Sequence, residues 1–113
     1  MNRVANHTPF VGYWRLVHMD EWDQAYLDLV EEAYIEFDDN GQGGFVFGVV
    51  KGWLDCRFSK YENQPRVEFS WEGESELDPI CGRGWAVLDS PKEISGQLFI
   101  HNSDDSYFEA HKL

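Results

Sequence analysis

Gly43–Phe58 reads GGFVFGVVKGWLDCRF, and the parsing of this stretch decides the fold. Large apolar residues alternate there with glycine and polar residues at the two-residue period of a strand. Phe45, Phe47 and Val49 share one face and Val46, Gly48 and Val50 the other, until Lys51-Gly52 intervenes. That dipeptide predicts a hairpin turn. Beyond it Leu54, Cys56 and Phe58 point one way while Asp55, Arg57 and Ser59 point the other, as in a strand with one wet face. The alternative is one long strand over 44–58, bent at Gly48 and Gly52 like a barrel wall.

Upstream, Asn40-Gly41 is the strongest hairpin signal in the chain, and it joins this stretch to a strand over 33–38 with Ala33, Ile35 and Phe37 inward. Further back, a strand over 10–19 alternates Gly12, Trp14, Leu16 and His18 against Val11, Tyr13, Arg15 and Val17, with Pro9 at its start. Between the two, Trp22, Tyr26, Leu29 and Val30 approach helical spacing, so a short helix over 23–30 is expected, capped by Asp20 or Asp23. Downstream, Tyr61–Pro65 reads as a loop, and Val67, Phe69 and Trp71 form the apolar face of a strand over 66–71. Glu72–Pro79 reads as an acidic turn-rich segment, and strands over 81–88, 94–101 and 107–112 follow, separated by Asp89–Lys92 and Asn102–Asp105. About eight short antiparallel strands joined mostly by tight turns make an all-β domain over 1–113, a small up-and-down β-barrel with one short helix after the first strand. A β-sandwich is the second choice. Trp14, Ile35, Phe69, Trp71 and Leu98 should share one core.

A chain of 113 residues buries roughly 60 to 70% of the surface its unfolded form exposes, enough for one core without a disulfide or metal. Cys56 and Cys81 lack a CxxC or a framework of spacings and read as reduced thiols at or near the core, which implies a cytoplasmic setting. MNRVANHTPF contains no apolar targeting core and no run reaches membrane-spanning length, so a soluble protein is expected. The net charge of -12 argues against nucleic acid and anionic lipid as partners, and leaves basic proteins open.

Gly12-Tyr13-Trp14-Arg15 resembles the GxW opening of the calycin families, the lipocalins and fatty-acid-binding proteins. The resemblance covers the first strand and the general meander, and it implies a barrel whose floor is closed by Trp14. In lipocalins an arginine near the end of the last strand packs across that tryptophan; Lys112 is the nearest counterpart here and would make a cation–π contact without the planar fork. The helix after the first strand corresponds to the lid of the fatty-acid-binding branch, so the resemblance also implies intracellular binding of a small ligand. Phe69-Ser-Trp71-Glu-Gly73, Asp78-Pro79 and Gly82-Arg83-Gly84 are similar to stretches of small bacterial proteins, from which no function carries over.

Few residues carry a signal for chemistry. His18, Asp20, Glu21 and Asp23 lie close enough in sequence to suggest a divalent cation, but acids around a helix start are favoured by the dipole alone. Glu36, Asp38, Asn40 and Gly41 imitate the start of an EF-hand loop whose twelfth position is Phe47, so the bidentate ligand is missing. Cys81 stands two residues from Arg83, yet no spacing ties either to His101 or His111 as a base. No catalytic residue, metal or cofactor is therefore assigned. Arg83 between two glycines is expected to be buried, paired with an acid of the chain or, with Trp14 and Trp85, forming a ligand site inside the barrel mouth.

No Lys or Arg occurs between Arg15 and Lys51, whereas Asp20, Glu21, Asp23, Asp28, Glu31, Glu32, Glu36, Asp38 and Asp39 all fall there, and a second acidic block, with Glu72 and Glu74, runs from Glu68 to Asp78. Repulsion that keeps the chain soluble is one account; a docking surface for a basic protein is the other. Ranked by these signals, a non-enzymatic acidic binding module comes first, of the kind that inhibits or confers immunity. A calycin-like ligand binder comes second and an enzyme third.

Overall fold

The computed structural model describes residues 9–113, so the expectation for MNRVANHT lies outside the described residues. In chain order the elements are β1 (Gly12–Met19), α1 (Gln24–Leu27), β2 (Tyr34–Phe37), β3 (Gln42–Phe47), β4 (Val50–Tyr61), β5 (Gln64–Ser75), β6 (Asp78–Ser90), β7 (Glu93–Ile100) and β8 (Asp105–Lys112). Every strand runs antiparallel to the next, and β8 returns to pair with β1, closing an eight-stranded up-and-down barrel. Closure leaves no sheet to pack face to face, so the sandwich is excluded.

The stretch around Gly48 is a hairpin, but its turn is Gly48-Val49 and not Lys51-Gly52. Gly48 has φ +56°, the sense a two-residue hairpin needs at its first central position, and a Cβ there would stand 2.2 Å from the Tyr26 ring. Gly52 lies inside β4 for a packing reason: the Phe45 ring occupies the space of its missing Cβ, 2.5 Å away. The long strands also reach further than the alternation suggested. Tyr61–Pro65 shrinks to a two-residue turn at Glu62-Asn63, and most of Glu72–Pro79 is strand, turning only at Glu76-Leu77. All four turn residues have positive φ, so the backbone adopts tight hairpin turns without the glycines that usually advertise them.

The helix is one turn long rather than eight residues. Asp23 caps it, its carboxylate accepting from Tyr26 N–H at 2.9 Å. Asp28 ends it by accepting from Ala33 N–H at 2.9 Å, which draws the chain back toward β2 and leaves Leu29 and Val30 exposed. The alternation of β1 is broken once, by a bulge between Leu16 and His18, so that Met19 is buried and His18 is exposed.

Trp14, Ile35, Phe69, Trp71 and Leu98 belong to one buried cluster that fills the barrel. Phe45 meets Trp71 edge-on at 5.0 Å and Phe47 at 5.7 Å near the helix, while Phe10, Phe37 and Phe58 pack together at the other end. No helix among the described residues is long and apolar enough to cross a membrane.

Candidate functional site

Three regions are candidates: the lumen, the barrel end that carries α1, and the outer wall of β4–β7. The lumen is occupied by side chains. Among the described residues, a void of about 10 Å³ inside it is lined by Leu16, Met19, Ile35, Phe45, Phe47, Leu98 and Phe108. Small-molecule pockets are roughly 300–1,000 Å³, so this void lacks room for one. Trp14 is wholly buried at the end opposite α1, where its Nε1 donates to Phe10 O at 2.8 Å. The Lys112 ammonium lies 4.7 Å from the ring centroid and donates to Val11 O at 2.6 Å. Burial lowers the Lys112 pKa.

Arg83 is not buried and does not face the mouth. It is exposed on the outer wall, its guanidinium 4.6 Å from the centre of the Phe99 ring, and it makes no ion pair among the described residues. The flanking glycines serve the wall itself: a Cβ on Gly82 would stand 1.8 Å from the Phe99 carbonyl oxygen and 3.0 Å from Trp71 Nε1, and one on Gly84 2.6 Å from both the Gln97 carbonyl oxygen and the Phe69 ring. Their absence admits two large rings to the core and says nothing about access to Arg83. Trp85 is two residues along β6 on the same outer face, half-buried under Arg66 at 4.7 Å. Arg83 and Trp85 are thus together outside, and Trp14 is apart in the core.

In a meander successive turns alternate between the two ends, and this sorts the acids. The β1–β2 connection brings Asp20, Glu21, Asp23, Asp28, Glu31 and Glu32 to the helix-bearing end. The β5–β6 turn adds Glu74, Glu76 and Asp78, and the β7–β8 turn adds Asp104 and Asp105. Asp28 and Glu32 pair with Arg15, and His18 with Asp20 at 2.7 Å. The Ala33 N–H, then Gln24 and Arg15, hold the Asp28 carboxyl below its usual pKa against the opposing effect of burial. Asp38 and Asp39 lie at the opposite end, where Asp38 accepts from Asn40 N–H and Gln42 N–H to shape its own turn. Glu72 is on the outer wall of β5. Sequence blocks alone concealed this division: Glu76 and Asp78 fell within the second acidic block, but Asp104 and Asp105 lay outside both blocks, and their alignment with the others depends on strand register.

The outer wall carries grooves of about 400 Å³ and about 720 Å³ that meet at Asp55 and Ser70. Trp53, with 51% of its surface exposed, stands at one end and Trp85 at the other. Placing the turn at Lys51-Gly52 hid Trp53; counted from Asp55 and Arg57, it falls on the wet face of β4.

No group of three or more His, Cys, Asp or Glu side chains among the described residues is arranged to hold a metal ion. Cys56 is buried and free, and burial, then the charges of Asp55 and Asp38, pushes its pKa up to about 12. Cys81 is free and exposed on the outer wall, so the expected core position applies to Cys56 only. The geometry defines a filled antiparallel barrel with a polarised surface. No known protein family, curated protein or solved structure matches the chain.

Proposed function

We propose that the chain is a non-enzymatic binding module that docks a basic protein through the helix-bearing end of its barrel, in the manner of an inhibitor or immunity protein. The observation that carries this reading is the gathering of Glu21, Asp23, Glu31, Glu76, Asp78 and Asp104, all exposed, at that one end, while Lys60, Arg66, Lys92 and Lys112 offset the acids near the other. Fields from acids on one end add, which steers a cationic partner and makes capture fast and salt-dependent. The filled lumen favours a surface mode over the calycin-like ligand mode.

Two triple variants of equal charge test the reading. Glu21→Gln, Glu31→Gln and Glu76→Gln neutralise the helix-bearing end; Asp39→Asn, Glu62→Gln and Asp89→Asn remove the same charge from the opposite half. Immobilised protein is exposed to lysate at low salt, and retained proteins are identified and sorted by isoelectric point. The expected outcome is a small set of basic proteins, released at high salt, lost with the first variant and kept with the second. Equal loss with both variants, or equal retention, overturns the proposal.

A further inference from the structure

Independently of the acidic end, we propose that the outer groove between Trp53 and Trp85 binds a neutral oligosaccharide. Register places Trp53 opposite Glu72, which pairs with Cys81 of β6, and Trp85 lies four residues further along that strand. With about 3.3 Å per residue along a strand and about 4.8 Å between strands, the Cα positions of Trp53 and Trp85 stand about 16 Å apart. Ser70 lies between them on the central strand, exposed and small, and Gln42, Asp55, Glu68, Glu72 and Arg83 surround it.

Each indole has a cation on the side away from this floor. Lys51 precedes Trp53 on β4 and lies 5.7 Å from its ring, whereas Asp55 and Ser70 are on its other side. Arg66 pairs with Val87 beyond Trp85 and covers that ring, whereas Arg83 and Ser70 lie on the near side. The groove is therefore bounded at each end by an aromatic ring backed by a positive charge.

The polar groups between the rings decide the ligand class. Among the described residues, Ser70 Oγ, the Glu72 carboxylate and the Gln42 amide make no side-chain hydrogen bond, and the Arg83 guanidinium has no carboxylate partner, whereas Asp55 is held by Arg57 at 2.7 Å. An anionic ligand would meet Asp55, Glu68 and Glu72, and a cationic one Arg57 and Arg83. A neutral polyol gains from both signs, because each hydroxyl donates to a carboxylate and accepts from a guanidinium or amide. The C–H faces of its rings match the electron-rich faces of indoles. The groove is shallow and open to water, which suits a chain lying along the wall better than a single engulfed molecule.

Binding is measured by calorimetry and tryptophan fluorescence with maltohexaose, cellohexaose, xylohexaose and chitohexaose, each raised to about millimolar concentration, where weak sites register. At least one should bind saturably. Trp53→Ala should weaken it about tenfold or more, and Ser70→Leu, which fills the floor, should abolish it. Both positions are exposed, and unchanged urea midpoints would show that the variants fold. Retention of binding in both variants, or no binding by any of the four sugars, overturns the proposal. Neither result touches the acidic end, because the triple variants leave every groove residue in place.

Discussion

Trp14 joins three contacts in one side chain: complete burial, a hydrogen bond to Phe10 O, and the Lys112 ammonium across its face. Removing the ring leaves a cavity as well as an unsatisfied carbonyl, so Trp14→Ala should cost about 3 to 5 kcal/mol in urea melts. A loss below about 1 kcal/mol would show that the barrel end collapses around the gap. The two thiols should divide sharply. Cys56, buried and raised to about 12, should resist iodoacetamide at neutral pH while Cys81 reacts, so that mass spectrometry finds one label on the native protein and two in denaturant. Asp28 sets a pH dependence. Its folded pKa lies below the ordinary carboxyl value of an unfolded chain, so its stabilisation is fully present above that ordinary value and is lost as pH falls through the folded one. Asp28→Asn should therefore be less stable than the parent at neutral pH, and the difference should shrink below about pH 4. An unchanged gap down to pH 2 would assign the effect to packing around the helix end.

At the scale of elements, the hairpin turns store conformational strain. Glu76 and Leu77 have φ of +49° and +78°, and Leu77 is 86% exposed. Side chains with a Cβ adopt that region at a cost, and Asn-Gly is the pair that a two-residue turn of this kind favours. Replacing Glu76-Leu77 by Asn-Gly should raise stability by about 1 kcal/mol or more, read as a higher urea midpoint with an unchanged slope. A lower midpoint would mean that Leu77 makes a contact its exposure conceals. The same turns explain why strand boundaries were illegible over 61–65 and 72–79. Acidic and polar residues there resemble loop composition, and the ladder that makes them strand is formed with partners distant in sequence.

For the molecule as a whole, the filled lumen and the sorted charges make separate demands. With a void of about 10 Å³, the native barrel should not bind palmitate or a hydrophobic dye, whereas an acid-unfolded form should bind the dye. Saturable palmitate binding to the native state would instead show that the core opens. At the helix-bearing end, like charges repel within a Debye length of about 10 Å at 0.1 M salt. The Glu21→Gln, Glu31→Gln and Glu76→Gln variant should consequently be as stable as the parent or slightly more so, with any gain shrinking as salt rises. A destabilisation that persists at high salt would reveal hydrogen bonds at those carboxylates.

The sequence alone determined the all-β class, the meander, the helix after the first strand and the inward faces of most strands, because alternation and turn chemistry are local and survive without tertiary context. Ala33, Ile35 and Phe37, and likewise Val67, Phe69 and Trp71, are buried as their two-residue period requires. The expected contact between Lys112 and Trp14 is present as well. Tertiary structure decided the rest. It moved a turn to Gly48, where the Tyr26 ring leaves no space for a Cβ, and it put Gly52 under Phe45. It turned Arg83 outward, because the two-residue period of β6 puts Gly84 and Ala86, both buried, on the inner face. It separated Asp38 and Asp39 from the acids they adjoin in sequence, because neighbouring turns of a meander lie at opposite ends. The groove from Trp53 to Trp85 exists only once β4, β5 and β6 are in register, since the residues that line it come from separate strands and meet through backbone pairing alone.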